Sequence, residues 1–374
     1  MAAVPNESAI HDSLTAWFKK RIDKAQGLSL SPLKQPSTGF SNETYLCEVS
    51  FSLEGKARSE EVVVRLEPLG FQIFPEYDLS RQFRIMQCLS ATDVPVPRVR
   101  WLEEDRSVLG KVFYVMDRVA GEVPSEIPLY HASGVCFDAG PAQRAGMWWS
   151  GVETLARIHS LDWERLGLSF LGVPSPGTGP IDRQLDYYER FLGWASRGRP
   201  QPILDAALRW LRSHTYKPAR VSLCWGDCRL PNLIFRGGRV AGVLDWEMAF
   251  LGDPEADLAW WLFMDWHSSE AYGIPRLPGF PDRVETLHRY EELSGQTIKN
   301  LTYNEIFAAF RFGVIMLRVA VRMDETGVPM PPDFGSNNPA TQRLAALLDL
   351  PLPGPPPGPA AGAGQDVITR LSPG

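Results

Sequence analysis

The chain has 374 residues, a formal net charge of -6, 44% apolar residues and 22% charged ones, the balance of a soluble globular protein large enough for two packed units. The acidic balance, without a Lys/Arg stripe, argues against nucleic acid as a partner. The opening "MAAVPNESAIHDSL" lacks an apolar signal core and no run reaches eighteen apolar residues, which argues against export and membrane spanning and leaves the cytoplasm as the expected location.

In chain order, Ile10, Leu14, Trp17, Phe18 and Ile22 recur at helical spacing and predict an amphipathic helix over 8–25. The period then falls to two, predicting strands over 44–53 and 60–68 joined through "EGKARS". A helix is expected over 76–90, then strands over 96–103 and 112–119. Beyond Gly121 the pattern is mainly helical, with helices expected over 141–160, 182–195, 202–214, 254–266, 282–294 and 303–323. One hairpin interrupts them, "NLIF" and "VAGVLDW" about Gly237 and Gly238. From Pro351 the Pro/Gly/Ala-rich tail cannot bury enough surface to fold and is expected to be disordered. The expected fold class is α+β, with a small mixed sheet and one helix in 1–117, a larger helical unit in 118–350 and a tail in 351–374. Cys47, Cys88, Cys136, Cys224 and Cys228 are scattered and odd in number, fitting free thiols better than a disulfide framework or a zinc site.

The chemistry concentrates in "SLCWGDCRLPNLIFRGGRVAGVLDWEMAFLGDPEADLAW", residues 222–260. Carboxylates among apolar neighbours need partners. The hairpin folds Asn232 and Asp245 toward one end, near Asp227, and such an oxygen set suits Mg2+ held together with phosphates. Asp227 is then free to accept a proton. Capping accounts for Asp253 at a helix start, Asp257 reads as a buried brace, and His159 as a structural histidine. Glu247 is left between a metal or nucleotide contact and an exposed hairpin end. Trp148, Trp149, Trp260 and Trp261 read as packing residues.

"WGDCRLPN" followed by "VLDWEMAFLGDPEADLA" resembles the aminoglycoside phosphotransferase family, small-molecule kinases with a two-lobed protein-kinase-like fold. "STGFSNETY", "VVVRLEP", "TDVPVPRV" and "TLARIHSLDW" fall in family order, so the resemblance spans most of 35–325. It implies that Asp227 orients and deprotonates an acceptor hydroxyl, that Asn232 and Asp245 hold Mg2+, and that the phosphoryl donor is ATP. Ser41 and Asn42 would cover the phosphates, and Met116, Asp117 and Val119 would line the nucleotide cleft. Arg65 stands where relatives place Lys, and Gln82 where its Glu partner is expected, so the usual ion pair becomes at most a hydrogen bond between them. Trp225 replaces the usual His before Gly-Asp.

The implied partner is a small molecule with a hydroxyl group; oligomeric state is not legible. Between 176 and 220 eight basic residues face four acidic ones, favouring a neutral or anionic acceptor such as a sugar, a hydroxy acid or a hydroxyacyl thioester over a polycationic antibiotic. The alternative is a nucleotide-binding module without turnover, suggested by Arg65 and Gln82 and opposed by the intact Asp227, Asn232 and Asp245.

Overall fold

The computed structural model describes residues 7–35, 43–68, 70–172, 178–327 and 330–355. Its N-terminal part is one helix, α1 (Glu7–Arg21), and five antiparallel strands, β1 (Gln26–Leu30), β2 (Glu43–Leu53), β3 (Lys56–Leu66), β4 (Val99–Glu103) and β5 (Phe113–Asp117), in the order β1-β2-β3-β5-β4. Helix α2 (Leu79–Leu89) lies between β3 and β4 in sequence, capped by Asp78, whose carboxylate accepts from Arg81 N.

Alternation along β3 sorts the two faces of this sheet. Val62 and Val64 pack with Leu14, Trp17 and Phe18 of α1 and with Phe113 and Val115 of β5. Val63 joins Tyr114, Met116 and the α2 residues Ile85, Met86 and Leu89 in the main core. Arg65 therefore belongs to the Val63 face, opposite Tyr114 in register.

Two expectations need correction here. The β2–β3 connection is two residues rather than six, because Glu54 and Gly55 both take positive φ (53° and 75°), the backbone that suits a tight hairpin. Strand β3 consequently starts at Lys56 and ends at Leu66. The first helix stops at Arg21, and β1, with only Leu28 and Leu30 buried, was too short to read by period.

The rest is mainly helical, with α3 (Val135–Asp138), α4 (Pro141–Ser160), α5 (Pro180–Ser196), α6 (Pro202–Ser213), α7 (Glu255–His267), α8 (Arg283–Ser294), α9 (Leu301–Glu325) and α10 (Pro339–Leu347). Proline opens α4, α5, α6 and α10, where its missing N–H costs nothing. Helix α9 is the spine, packing on α5, α6, α7 and α10. Two small ribbons lie among these helices, β6 (Ser222–Cys224) with β9 (Phe250–Gly252), and β7 (Leu233–Arg236) with β8 (Arg239–Val243). The start of the expected tail is tethered, since Asn337 and Gln342 donate side-chain N–H groups to the carbonyls of Pro355 and Gly354. Residues 356–374 lie outside the described residues. The chain is thus α+β, with a small sheet lobe and a helical lobe, and no helix among the described residues is long and apolar enough to cross a membrane.

Candidate active site

The β6–β9 ribbon pairs Cys224 with Phe250 and so closes a loop holding every acid of interest up to Asp245. Within it, Leu233 opposes Val243 across the β7–β8 hairpin, and Leu244 N donates to Asn232 O at 2.9 Å. Asn232 and the turn at Asp245 therefore share one end. Gly237 and Gly238 make the far end, both at positive φ.

Asp257, in the first turn of α7, fixes the segment before Asp227. It is fully buried, and its carboxylate accepts from Trp225 N at 2.6 Å and Gly226 N at 2.9 Å. His159 Nε2 lies 3.1 Å from the same carboxylate and His159 Nδ1 lies 2.6 Å from the Tyr290 hydroxyl. Cys224 is near enough to join His159 and Asp257 as a three-residue cluster. Both ring nitrogens and both carboxylate oxygens are already engaged, so the cluster is a brace for the loop. Gly226 has φ +89°, and a Cβ there would stand 2.1 Å from Met248 O, so no other residue fits. From below, Arg311 donates Nη2 to Gly226 O at 2.8 Å and sits 4.5 Å from the centre of the Trp260 ring.

Asp227 is buried, and each oxygen has a donor. Trp260 Nε1 reaches Oδ1 at 3.0 Å, while Asn232 Nδ2 and Arg229 Nε reach Oδ2 at 2.7 and 3.0 Å. Arg229 also donates to Glu126 at 2.6 Å. Burial opposes the charge on Arg229, but Asp227 and Glu126 outweigh it and hold the guanidinium protonated. None of Arg229, Glu126, Arg311 or the Trp260–Asp227 bond stood out in the sequence. The usable signal was Arg229, a cation two residues from the predicted base.

Asp245 takes φ +56°, a left-handed conformation, and opens a short 3-10 turn, Trp246–Met248. Its Oδ1 accepts from Arg65 Nη2. The expected Arg65–Gln82 hydrogen bond is absent: Gln82 Oε1 is buried without a partner among the described residues. A full carboxylate outcompetes a neutral amide for a guanidinium, and Asp245, Tyr114 and Glu247 together hold the Arg65 pKa above its usual value against the opposing effect of burial.

The cofactor can be tested against these residues. Asn232 spends Nδ2 on Asp227, which leaves its carbonyl oxygen as a ligand atom, and Asp245 adds a partly exposed carboxylate. That oxygen set suits a hard cation such as Mg2+. Buried Arg65 Nε and Gln82 Oε1 lack partners among the described residues, and phosphate oxygens and metal-bound water could satisfy them. The residues present therefore fit a nucleotide with Mg2+. Among the other expected contacts, Met116 is buried on the Arg65 face of the sheet. The Asp117 carboxylate turns to Arg100 at the sheet edge, so its side chain is committed elsewhere. Val119 packs beside Gly242 of β8. Ser41 and Asn42 lie outside the described residues. The five cysteines are free, and burial pushes the Cys224 and Cys228 thiols well above their usual pKa, which makes them inert packing groups.

Two kinds of known protein resemble this chain. Acyl-CoA dehydrogenase family member 10 of Mus musculus is 30% identical over 313 residues, covering 78% of this chain and 26% of that protein. Acyl-CoA dehydrogenase family member 11 of Homo sapiens is 30% identical over 269 residues, covering 70% and 32%. The chain thus spans about a third or less of the length of these two curated relatives. Among solved structures, a Ralstonia eutropha JMP134 protein named for the aminoglycoside phosphotransferases superposes with a TM-score of 0.66 at 27% identity, over 90% of this chain and 98% of that one. A thermostable mutant of the aminoglycoside phosphotransferase APH(4)-Ia, solved with ADP and hygromycin B, shares the fold with a TM-score of 0.52 at 16% identity, over 90% and 98%. Residues 32–293 match the model of the phosphotransferase enzyme family, and the chain belongs to that family.

Proposed function

We propose that the protein transfers the γ-phosphoryl group of ATP to the hydroxyl of a small molecule, and that this molecule is a hydroxyacyl thioester of coenzyme A. The observation that carries the transfer reading is the convergence of Asp227, Asn232 and Asp245 on one rim, with Arg65 bonded to Asp245. Asp227, oriented by Trp260 and Asn232, accepts the acceptor's proton as the hydroxyl oxygen bonds phosphorus and the bond to the ADP oxygen breaks. Asn232 and Asp245 would hold Mg2+, which when bound neutralises charge on the phosphates. Arg65, bonded to Asp245, and Arg229, bonded to Asp227, add fixed positive charge at the site, stabilisation that needs no reorganisation during transfer.

The acceptor class rests on two supports. The curated relatives are named for acyl-CoA chemistry, and this chain matches only a portion of each, so a phosphotransferase unit there shares a polypeptide with more protein. The basic surplus over 176–220 also favours a neutral or anionic acceptor over a polycationic one.

The test is transfer of labelled γ-phosphate from ATP with Mg2+ to a panel of hydroxyacyl-CoA thioesters, sugars and aminoglycosides, with Asp227→Ala alongside. Transfer to the thioesters that disappears in Asp227→Ala is the expected result. Transfer to sugars or aminoglycosides alone would overturn the acceptor class. Nucleotide binding without transfer to anything would favour the silent module, a reading kept in view by the missing acid at Gln82.

A further inference from the structure

At the outer end of α5 and α9, three arginines gather, with Glu325 and Glu43 beside them among the described residues. Arg318 is sandwiched between the rings of Phe71 and Trp194, its guanidinium carbon 4.2 Å from each ring centre. Its Nε and Nη2 both donate to Gln72 O, at 3.1 and 2.8 Å. One turn on, Arg322 also faces Phe71, and its Nε is buried with no hydrogen-bond partner among the described residues. Arg197, just past the end of α5, is close enough to repel Arg318, and its contact with Glu325 is loose at 3.9 Å. Glu43 lies on the Arg322 side, near enough to feel its charge. Trp194 is 37% exposed, which leaves part of the ring open to solvent beside the arginines.

The same two helices lead back to Asp227. Arg311 of α9 holds Gly226 O beside the base, and Arg318 and Arg322 follow seven and eleven residues later, about 10 and about 16 Å along the helix. On α5, Tyr188 bonds Arg311, and Phe191 and Trp194 continue the line of rings outward. A pantetheine arm has roughly the backbone length of four extended residues, about 14 Å. It would carry an acyl hydroxyl at Asp227 and its phosphates at the arginines.

We propose that Arg197, Arg318, Arg322 and Trp194 form a subsite for the phosphate-bearing nucleotide end of a coenzyme A thioester, the guanidinium groups taking the phosphates and the Trp194 ring stacking on adenine. This rests on the acyl-thioester reading above. A role confined to bracing the 71–72 segment against α9 would leave phosphate recognition untouched, and the two are separable by experiment.

The experiment measures binding of CoA and of pantetheine by calorimetry to the full chain, with Mg2+ and a non-hydrolysable ATP analogue saturating the nucleotide cleft. The wild type is expected to bind CoA at least tenfold more tightly than pantetheine. In Arg322→Gln and in Arg197→Gln, neither of which removes a side-chain hydrogen bond seen among the described residues, that ratio should drop several-fold, and Trp194→Ala should lower it further. Equal affinity of the wild type for CoA and pantetheine, or a ratio unchanged in all three variants, would overturn the subsite. Because CoA carries no hydroxyacyl group, the result is independent of turnover. Arginine-dependent CoA binding without transfer to any hydroxyacyl-CoA would sink the acceptor reading and leave the subsite standing. Transfer without that dependence would do the reverse.

Discussion

The indole N–H of Trp260 lies 3.0 Å from Oδ1 of Asp227, while Asn232 and Arg229 occupy Oδ2. The proposed base is thereby held from both oxygens, and Trp260 is itself held by the Arg311 cation packed on its ring. Trp260→Phe keeps most of the packing and removes the donor to a charged acceptor, worth roughly 1.5–3 kcal/mol. We expect kcat to fall about ten- to a hundredfold with little change in KM for ATP. A fall in ATP affinity of the same size would mean that Trp260 serves nucleotide binding instead.

Asp245 is predicted to couple Mg2+ to the nucleotide. In the wild type, ATP affinity should rise across a Mg2+ titration; in Asp245→Ala the curve should be flat. The same substitution strands the buried Arg65 guanidinium, so the apo protein should also lose about 2–3 kcal/mol in urea unfolding. An unaltered Mg2+ dependence would remove Asp245 from the metal site.

Arg65→Ala releases Asp245 and takes away a cation proposed to face phosphate. KM for ATP should increase tenfold or more, and Arg65→Lys should recover only part of it, because a point charge cannot bond Asp245 and a phosphate through one planar fork. Full recovery by Lys would show that charge alone matters there.

Asp257→Ala removes the acceptor of two backbone N–H groups and of His159 in a fully buried position. The expected loss is about 3–5 kcal/mol of stability, seen as an earlier urea midpoint, together with loss of transfer. A variant that melts like the wild type would show that the loop before Asp227 is fixed by other contacts.

His267 supplies the pH dependence. Burial, reinforced by the charge of Arg229, holds its pKa down at about 3, against 6.5 for the free side chain. The unfolded chain therefore binds the proton that the folded chain refuses. This stabilisation is complete above pH 6.5 and is lost as pH falls toward 3, at about 1.4 kcal/mol per unit. The ring packs against Phe263 and Phe312, contacts that a phenyl group keeps, while the 3.2 Å contact of Nε2 with the Tyr272 hydroxyl is given up. His267→Phe should gain about 2 kcal/mol on the wild type between pH 6.5 and pH 5 in urea unfolding. Parallel stability curves for the two proteins would place the acid sensitivity elsewhere.

Much of this was legible in the chain itself. Helix α4 runs from Pro141 to Ser160 as its period and opening proline dictate, and the Gly237–Gly238 turn returns the chain so that Asn232 and Asp245 meet. These features depend on neighbours a few residues apart, where backbone preference and face alternation settle the outcome. The motifs in family order likewise pointed to the phosphotransferase family. What the sequence could not decide was partnership. Arg65 chose Asp245, 180 residues away, over Gln82 on the nearby helix, because charge prefers charge once the fold has brought both within reach. Trp260 read as packing and also turned out to grip Asp227. The gathering of Arg197, Arg318 and Arg322 depends on how α5 and α9 cross. Periodicity tells which face of an element is buried; only the packed tertiary structure decides what each buried polar group meets there.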